Sequence, residues 1–352
     1  MKALRWHARG DVRLDDVDEP VAGPGEITVE VAAAGICGSD IHEYRGGPIA
    51  VPVDADHPLT GQRAPVTLGH ELAGTVVAVG EGVRDIGVGD RVAVSAVLRC
   101  GTCRTCAAGL PQLCATLGFH GLSGGGGGFA PLDTFPAYLA HRLPDAVDTE
   151  TGALLEPLAT GVHAVARSGI GPGSTVLVAG AGPIGLMTVV AARARGAATV
   201  LVAEPAPARA RAATALGADA VLDPLTEDVG ERVRELTGGT GVDAAFDAAA
   251  APTSFDTVLA AVRPRGTVVN VAAWEQPVAF HPNLLLFGEP TVTGALAYTP
   301  EDFAEAIRIA ASGTVDLGAL VTRRIRLADA VTDGFARLAA APGDDIKVLV
   351  VP

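Results

Sequence analysis

Lysine and aromatic side chains are scarce in this 352-residue sequence, and acidic residues outnumber basic ones. Lys2 and Lys347 are the only lysines, aromatic residues make up 4%, and the formal net charge is −14. A nucleic-acid interface needs clustered Lys and Arg side chains to contact phosphates. We therefore expect no nucleic-acid partner.

The sequence also lacks a segment that predicts export or membrane insertion. Residues 1–16, MKALRWHARGDVRLDD, have no apolar core of the kind found in a signal peptide. The most apolar stretch, 176–194, contains GAGPIG and is predicted to be a strand followed by a helix rather than a membrane span. We expect a cytoplasmic protein with no membrane partner.

Five cysteines, an odd number, favour metal binding or catalysis over a disulfide framework in a chain that is not exported. Four of them lie close together, at Cys100, Cys103, Cys106 and Cys114, and two of the gaps are C-x-x-C. Four thiolates complete the tetrahedral shell of a zinc ion, so we expect a closed, structural zinc site.

Cys37 is the one cysteine left for a second site. A lone Cys or His usually belongs to a protein core. Together, however, Cys37, His70 and the carboxylates of Glu71 and Glu156 offer thiolate, imidazole and carboxylate ligands. Such a set holds zinc while leaving a position open for a substrate oxygen, so we expect a second, catalytic zinc.

The fold class follows from the order of the apolar runs. Up to about Arg142 the runs are short and strand-like, as in 26–35, 71–80 and 91–96, with Gly, Pro and Asp turns between them and no intervening helices. This spacing predicts an antiparallel, barrel-like unit. From about Thr175 strands alternate with helices, which predicts a doubly wound parallel α/β sheet.

A run of glycines, GLSGGGGG, occupies residues 121–128. Its composition is typical of a flexible linker. Its closeness to the four cysteines argues against a domain boundary.

The segment VLVAGAGPIG predicts a dinucleotide site because its glycines follow a strand and open a helix. Gly180, Gly182 and Gly185, with Pro183 and Ile184 between them, let the backbone approach a pyrophosphate at the helix N-terminus. Glu204 ends the next strand, where an acidic residue binds ribose hydroxyls and favours NAD over NADP. Arg209 is a further cofactor-binding candidate, although a solvated helix face also explains it and Arg211.

Assembled, these motifs resemble those of the zinc-dependent medium-chain alcohol and polyol dehydrogenases over essentially the whole chain. Within that family the (R,R)-2,3-butanediol dehydrogenases are the most similar, followed by the sorbitol dehydrogenases. The similar segments are 35–44, 57–71, 121–128, 246–278 and 297–303. The segment 129–138, FAPLDTFPAY, departs from the family pattern, which leaves the local loop shape open.

The resemblance implies roles for individual residues. Cys37 and His70 correspond to catalytic zinc ligands, and Glu71 and Glu156 to carboxylates that complete the shell directly or through water. Ser39 and His42 correspond to the relay that carries the alcohol proton outward while hydride passes to NAD. The alternative is that Ser39 belongs to a turn after Cys37 and that His42 is a surface histidine without a role in proton transfer.

The resemblance also implies a domain layout and an assembly. We expect a GroES-like catalytic zinc domain at 1–154 and 296–352 and a Rossmann NAD-binding domain at 155–295. We expect two zinc ions per chain and a homodimer or homotetramer.

Three functions remain open at this point. The first is an NAD-dependent dehydrogenase of a secondary alcohol or vicinal diol, with 2,3-butanediol and acetoin preferred. The second is a polyol dehydrogenase acting on sorbitol or xylitol. The third is a non-catalytic sensor of NADH and zinc redox state, which would have no need of an open second zinc site.

Overall fold

The computed structural model describes residues 1–340 and 343–352, and the chain divides into two compact units. Unit 1 comprises Met1–Glu156 and Thr299–Pro352, and unit 2 comprises Pro157–Tyr298. Unit 1 is therefore built from both ends of the chain.

The strands, numbered in chain order, are β1 Lys2–Ala8, β2 Asp11–Asp16, β3 Glu26–Gly35, β4 Val66–Thr67, β5 Glu71–Val79, β6 Arg91–Val94, β7 Val97–Leu98, β8 Gly118–Phe119, β9 Leu132–Pro136, β10 Ala140–Arg142, β11 Thr175–Ala179, β12 Thr199–Ala203, β13 Ala220–Leu222, β14 Val242–Asp247, β15 Val262–Asn270, β16 Thr291–Gly294, β17 Val321–Arg326 and β18 Lys347–Val351.

The α-helices are α1 Gly38–Gly46, α2 Arg104–Ala107, α3 Thr149–Ala153, α4 Leu155–Ser168, α5 Pro183–Ala194, α6 Pro207–Ala215, α7 Val229–Leu236, α8 Ser254–Ala261, α9 Asn283–Gly288, α10 Pro300–Ala311 and α11 Arg337–Ala340. No helix in the described part of the chain combines the length and apolar character needed to cross a bilayer.

Unit 1 is organised around a sheet of order β10-β6-β5-β3-β18-β17, with β9 also paired to β3. The pairs are antiparallel except β17 with β18, which is parallel. One apolar core includes Trp6, Phe129, Phe135 and Phe335, which are at most 1% exposed. The predicted antiparallel, barrel-like class is confirmed, and the last strand of the chain completes it.

The expectation that no helix interrupts these N-terminal strands is wrong. Helix α1 follows β3 directly, and its sequence GSDIHEYRG has only one aliphatic residue and no apolar stripe. The helix begins where the Asp40 carboxylate accepts a hydrogen bond from the Cys37 N–H at 2.9 Å. Its start is therefore set by a cap rather than by the hydrophobic periodicity used for prediction.

Unit 2 contains a six-stranded parallel sheet of order β13-β12-β11-β14-β15-β16. The inner strands of this sheet carry buried apolar residues, and Leu177, Leu201, Ala245 and Val268 are at most 1% exposed. The predicted doubly wound sheet is confirmed. The strand order reverses between β11 and β14, the position at which such sheets bind ligands.

Candidate metal centres and cofactor site

The four-cysteine cluster (Cys100, Cys103, Cys106 and Cys114) lies in the segment after β7 and around α2. One sulfur atom from each residue lies within 4.8 Å of the other three. Backbone N–H groups point at two of the sulfurs, from Cys103 to Cys100 Sγ and from Cys100 to Cys114 Sγ, both at 3.3 Å. The five cysteines of the chain are free, so the cluster is not a pair of disulfides.

Three thiols of the cluster, those of Cys100, Cys103 and Cys106, have pKa values that differ widely. A hydrogen bond with the Thr105 hydroxyl lowers the pKa of Cys103 to about 5, and backbone N–H groups of Thr102 and Cys103 lower the pKa of Cys100 to about 7. Burial raises the pKa of Cys106 to about 12. A divalent cation removes this difference by binding all four as thiolates, so the donor set fits zinc.

The second cluster, here called the Cys37–His70 site, joins Cys37, His70 and Glu71, whose ligand atoms also lie within 4.8 Å of one another. Cys37 follows β3 and Glu71 begins β5, and these strands pair with Gly35 opposite Glu71. A Cβ atom at Gly35 would lie 2.1 Å from Glu71 Oε2, so only glycine leaves room for this carboxylate. Thiolate, imidazole and carboxylate form a set that holds zinc.

Asp40 lies behind His70, a contact that the sequence analysis did not predict. His70 Nδ1 faces the fully buried Asp40 Oδ1 at 3.5 Å, and His70 Nε2 lies 3.2 Å from Ser39 Oγ. Burial works to lower the pKa of His70, but the negative charges of Asp40 and Cys37 raise it well above its usual value. A carboxylate behind a metal-ligating imidazole fixes the ring and strengthens the ligand.

Lys347 also lies at this site, although the sequence analysis did not predict it. It begins β18, and its Nζ lies 2.7 Å and 2.5 Å from the two carboxylate oxygens of Glu71, with both side chains at most 1% exposed. Burial works to lower the pKa of Lys347, but Glu71, then Cys37 and Glu156, raise it overall. Glu156, 8% exposed at the start of α4, is thus within electrostatic reach of the same ammonium.

The glycine run 121–128 is built against the Cys37–His70 site. Residues 121–124, 127 and 128 are buried. Gly128 N–H donates to Gly69 O at 2.7 Å, and Phe129 N–H donates to Leu68 O at 3.0 Å, so the run supports the segment that carries His70. The linker interpretation is therefore wrong.

The segment 129–138, which departs from the resembled family, contributes to the same support. It supplies β9 and the buried Asp133, whose carboxylate accepts from Gly127 N–H at 2.9 Å and lies 2.6 Å from His120 Nε2.

In unit 2, the glycine motif lies between β11 and α5 as predicted. Gly180 has a φ of 93°, Gly182 precedes the first helical residue Pro183, and Ile184 follows. A Cβ at Gly185 would lie 1.9 Å from Gly180 O, so the helix can approach the strand only with glycine there. The first turn of α5 is therefore open to an anionic group.

Glu204 and Arg209 follow β12, beside this motif. Glu204, 6% exposed, accepts N–H hydrogen bonds from Ala181 at 2.7 Å and Ala206 at 2.8 Å, so it also fixes the backbone of the glycine loop. Arg209 lies in the first turn of α6, and its buried Nε has no partner among the described residues.

Comparison with known protein families gives two matches along the chain. The family described as "Zinc-binding dehydrogenase" matches residues 183–312, and the "Alcohol dehydrogenase GroES-like domain" matches residues 23–145. The first lies mostly in unit 2 and the second wholly in unit 1.

Individual relatives match over the full length. The (R,R)-butanediol dehydrogenase of Bacillus subtilis (strain 168) is 40% identical, with 100% of both chains covered. The sorbitol dehydrogenase of the same organism is 33% identical, covering 100% of this chain and 97% of the relative. The crystal structure of 2R,3R-butanediol dehydrogenase from Bacillus subtilis has a TM-score of 0.93 at 39% identity, covering 100% and 99% of the two chains.

Two further solved structures contain a dinucleotide. A protein from Sinorhizobium meliloti 1021 bound to NADP has a TM-score of 0.89 at 34% identity, covering 100% and 99% of the chains. A short chain alcohol dehydrogenase from E. coli CFT073 complexed with NADH has a TM-score of 0.89 at 28% identity, with the same coverage.

Proposed function

Since the chain belongs to the zinc-binding dehydrogenase family, we propose that it oxidises a secondary alcohol or vicinal diol with NAD, and that 2,3-butanediol and acetoin are its substrate pair. The observation that carries the proposal is the Cys37–His70 site, where a thiol, an imidazole and a carboxylate meet within 4.8 Å. A sensor of zinc redox state has no need of such an open site beside the four-cysteine cluster.

Each functional side chain has a part in this reaction. Cys37 and His70 would hold the metal, with Glu71 or Glu156 as the third protein ligand, and a zinc ion there would supply Lewis acidity toward the substrate oxygen. Asp40 holds the His70 ring in place through Nδ1. Lys347 balances the negative charge that collects around Cys37 and Glu71.

Ser39 and His42 provide the route for the proton. Both lie on α1, three positions apart, and side chains at this spacing share one helix face. Ser39 Oγ lies 3.2 Å from His70 Nε2, beside the metal site. In the proposed reaction the Ser39 hydroxyl would accept the alcohol proton while giving its own proton to His42, which would release it to solvent. A bound NAD would supply the hydride acceptor.

The cofactor is held by unit 2. The N–H groups at the start of α5 would bind the pyrophosphate, and Glu204 would accept from the ribose hydroxyls. Arg209, whose buried Nε has no partner among the described residues, would be available to the adenosine end. The carboxylate of Glu204 repels a 2′-phosphate, so NAD is preferred over NADP.

The ligand chemistry favours a diol over a simple alcohol. A zinc ion bound by one thiolate is a harder Lewis acid than a zinc ion bound by two, so it tolerates oxygen-rich ligands better. A vicinal diol has a second hydroxyl that can donate to a carboxylate such as Glu156. The 40% identity to an (R,R)-butanediol dehydrogenase supports the four-carbon diol, and the 33% identity to a sorbitol dehydrogenase makes a polyol the second candidate.

A steady-state assay with NAD and NADP and a panel of alcohols tests the proposal. We expect kcat/KM for 2,3-butanediol to exceed that for ethanol and for sorbitol by at least about tenfold, which is about 1.4 kcal/mol in the transition state. A preference for sorbitol or for a primary alcohol would overturn the substrate while leaving a dehydrogenase. Binding of NADH without turnover of any alcohol would favour the sensor.

We also propose that the protein self-associates through the outer edge of the unit 2 sheet. Within the described residues, β16 pairs with β15 on one side only. Leu286, Phe287 and Val292, in and beside this edge, are 67%, 81% and 41% exposed. An open strand edge next to exposed apolar side chains favours pairing with a second copy. Phe287→Ser should lower the mass measured by sedimentation, and a monomeric wild type would contradict the proposal.

A further inference from the structure

Asp247 is a buried carboxylate at the carboxyl end of β14, outside every role assigned so far. It is fully buried, and its partners among the described residues are N–H donors rather than a cation. Oδ1 accepts from Ala249 N–H and Ala250 N–H, both at 3.2 Å, and Oδ2 accepts from Trp274 Nε1–H at 3.1 Å. A buried carboxylate is tolerated only when such donors satisfy it.

The same residue also ties down the segment after β15. The backbone carbonyl of Asp247 accepts from Val271 N–H at 2.9 Å and from Ala272 N–H at 3.1 Å. Trp274 Nε1 lies 3.2 Å from Asn270 Oδ1 as well, so the indole bridges the ends of β14 and β15. One aspartate therefore fixes two loops, 248–251 and 271–274.

Loop 248–251 packs directly on the glycine motif. Ala248 N–H donates to Ala179 O at 2.9 Å, and a Cβ at Gly180 would lie 2.9 Å from Ala249 Cβ. Ala250 adopts a φ of 48°, a left-handed conformation that costs energy for alanine and is held here by its bond to Asp247. Any shift of the aspartate is thus passed to the backbone that faces the pyrophosphate.

The sheet order assigns these loops to one half of the dinucleotide. Glu204 follows β12, on one side of β11, whereas loops 248–251 and 271–274 follow β14 and β15, on the other side. A dinucleotide lies across the point where the strand order reverses. With its adenosine ribose at Glu204, its nicotinamide half extends over the ends of β14 and β15.

We propose that Asp247 is a positioning residue for the cofactor, which holds loops 248–251 and 271–274 in the conformation that receives the nicotinamide half. This inference rests on the dinucleotide binding in the proposed function. Asp247 itself touches neither cofactor nor substrate; it acts through Ala249, Ala250 and Trp274.

Asp247→Asn tests the role with almost no change in size. The amide can keep one acceptor oxygen for Ala249 and Ala250, but its NH₂ then faces the indole N–H, so two donors meet in a buried place. We expect the Kd for NADH, measured by fluorescence titration, to rise about tenfold, equivalent to about 1.4 kcal/mol. Zinc content should not change.

Trp274→Phe supplies the rescue. Placed in the Asp247→Asn chain, it removes the opposing donor and should return the Kd to within about threefold of the wild-type value. Alone, it should raise the Kd only about threefold, since the backbone donors to Asp247 remain. This non-additivity separates a specific contact from general destabilisation. The single Trp274→Phe variant also tests the inference if Asp247→Asn does not fold.

Asp243 provides the matched control, because it is an aspartate at the opposite end of the same strand. Its carboxylate accepts from Thr175 N–H and from Arg263 Nε–H, both at 2.8 Å. Asp243→Asn should lower thermal stability with less than a twofold change in the Kd for NADH.

Two results would overturn the positioning role. One is an equal Kd in the Asp247→Asn and Asp243→Asn variants. The other is additive effects of Asp247→Asn and Trp274→Phe. If the wild-type protein binds neither NADH nor NADPH, the proposed function fails. If the wild type binds NADH and either of the two results above appears, only the positioning role fails, so the two failures are distinguishable.

Discussion

Replacing Lys347 by methionine should destabilise unit 1 strongly, because the change leaves Glu71 as a buried charge without its partner. Methionine is close to lysine in length, so packing is retained and the ammonium is the group removed. In the wild type, Nζ contacts both oxygens of Glu71 and also lies 3.4 Å from Ile36 O.

The size of the effect follows from the burial of the pair. Both side chains are at most 1% exposed, so water cannot replace the lost cation. Breaking a buried pair from one side costs about 3–5 kcal/mol. At about 2–4 °C per kcal/mol for a domain of this size, the melting temperature should fall by roughly 10 °C. Replacing both residues by methionine should recover most of the loss, because no charge is then left unpaired.

The assay is thermal unfolding after the exchangeable metal has been removed from the Cys37–His70 site, because a zinc ion there would itself offset the charge of Glu71. Lys2→Met is the matched control. Lys2, the only other lysine, pairs with Asp16 at 2.7 Å, but the two side chains are 52% and 80% exposed. Solvent screens such a pair, so this variant should melt as the wild type does.

Two outcomes would refute the reasoning. A Lys347→Met protein as stable as the Lys2→Met control would mean that Glu71 finds another cation or takes up a proton at no cost. A Glu71→Met, Lys347→Met protein less stable than Lys347→Met would mean that packing, not charge, governs the position.

Three further predictions concern zinc, cofactor choice and pH. Mild chelation should abolish activity before it lowers thermal stability. The reason is that the Cys37–His70 site keeps an exchangeable position, whereas the four-cysteine cluster does not. A metal analysis that finds fewer than two zinc ions per chain would contradict this prediction. Glu204→Ala should weaken NAD binding and raise the NADP/NAD ratio of kcat/KM, since it removes the charge that repels a 2′-phosphate; an unchanged ratio would assign the discrimination elsewhere. Burial lowers the pKa of His141, which stacks on Phe303 at 4.3 Å, to about 4. Between pH 6.5 and 4 the imidazole of His141 is therefore protonated in the unfolded chain but stays neutral in the folded chain. The free energy of unfolding of the wild type should fall by up to about 3 kcal/mol over this range, and the fall should be less steep in His141→Phe.

Local patterns were sufficient for much of the fold. The alternation of β11, α5 and β12 could be predicted because buried parallel strands are continuous apolar runs and the connecting helix starts at a glycine motif. The four-cysteine cluster was readable because its members are close in sequence. Helix α1 was not, because a cap rather than an apolar stripe defines it.

Ion pairs between residues that are far apart in the sequence could not be predicted from such patterns. Lys347 and Glu71 are 276 positions apart, and nothing near either residue signals the other. Asp40 was closer to prediction, since an acidic residue three positions after Cys37 is a recognisable helix start. The glycine run was interpreted as a linker because composition does not show that the N–H of its last residue, Gly128, is hydrogen-bonded to Gly69 O.

The position of β18 has a consequence for the order in which the protein can mature. A ribosome synthesises Cys37, His70 and Glu71 before unit 2, and Lys347 only after the whole of unit 2. Until β18 docks between β3 and β17, the nascent site holds a surplus of negative charge in an unfinished sheet, and β17 and the last residues of β3 lack their pairing strand. Closing a loop of this length is slow compared with local folding, so unit 2 should be native before unit 1 closes. Any event that traps the chain before β18 docks therefore leaves a folded unit 2 tethered to an incompletely assembled unit 1.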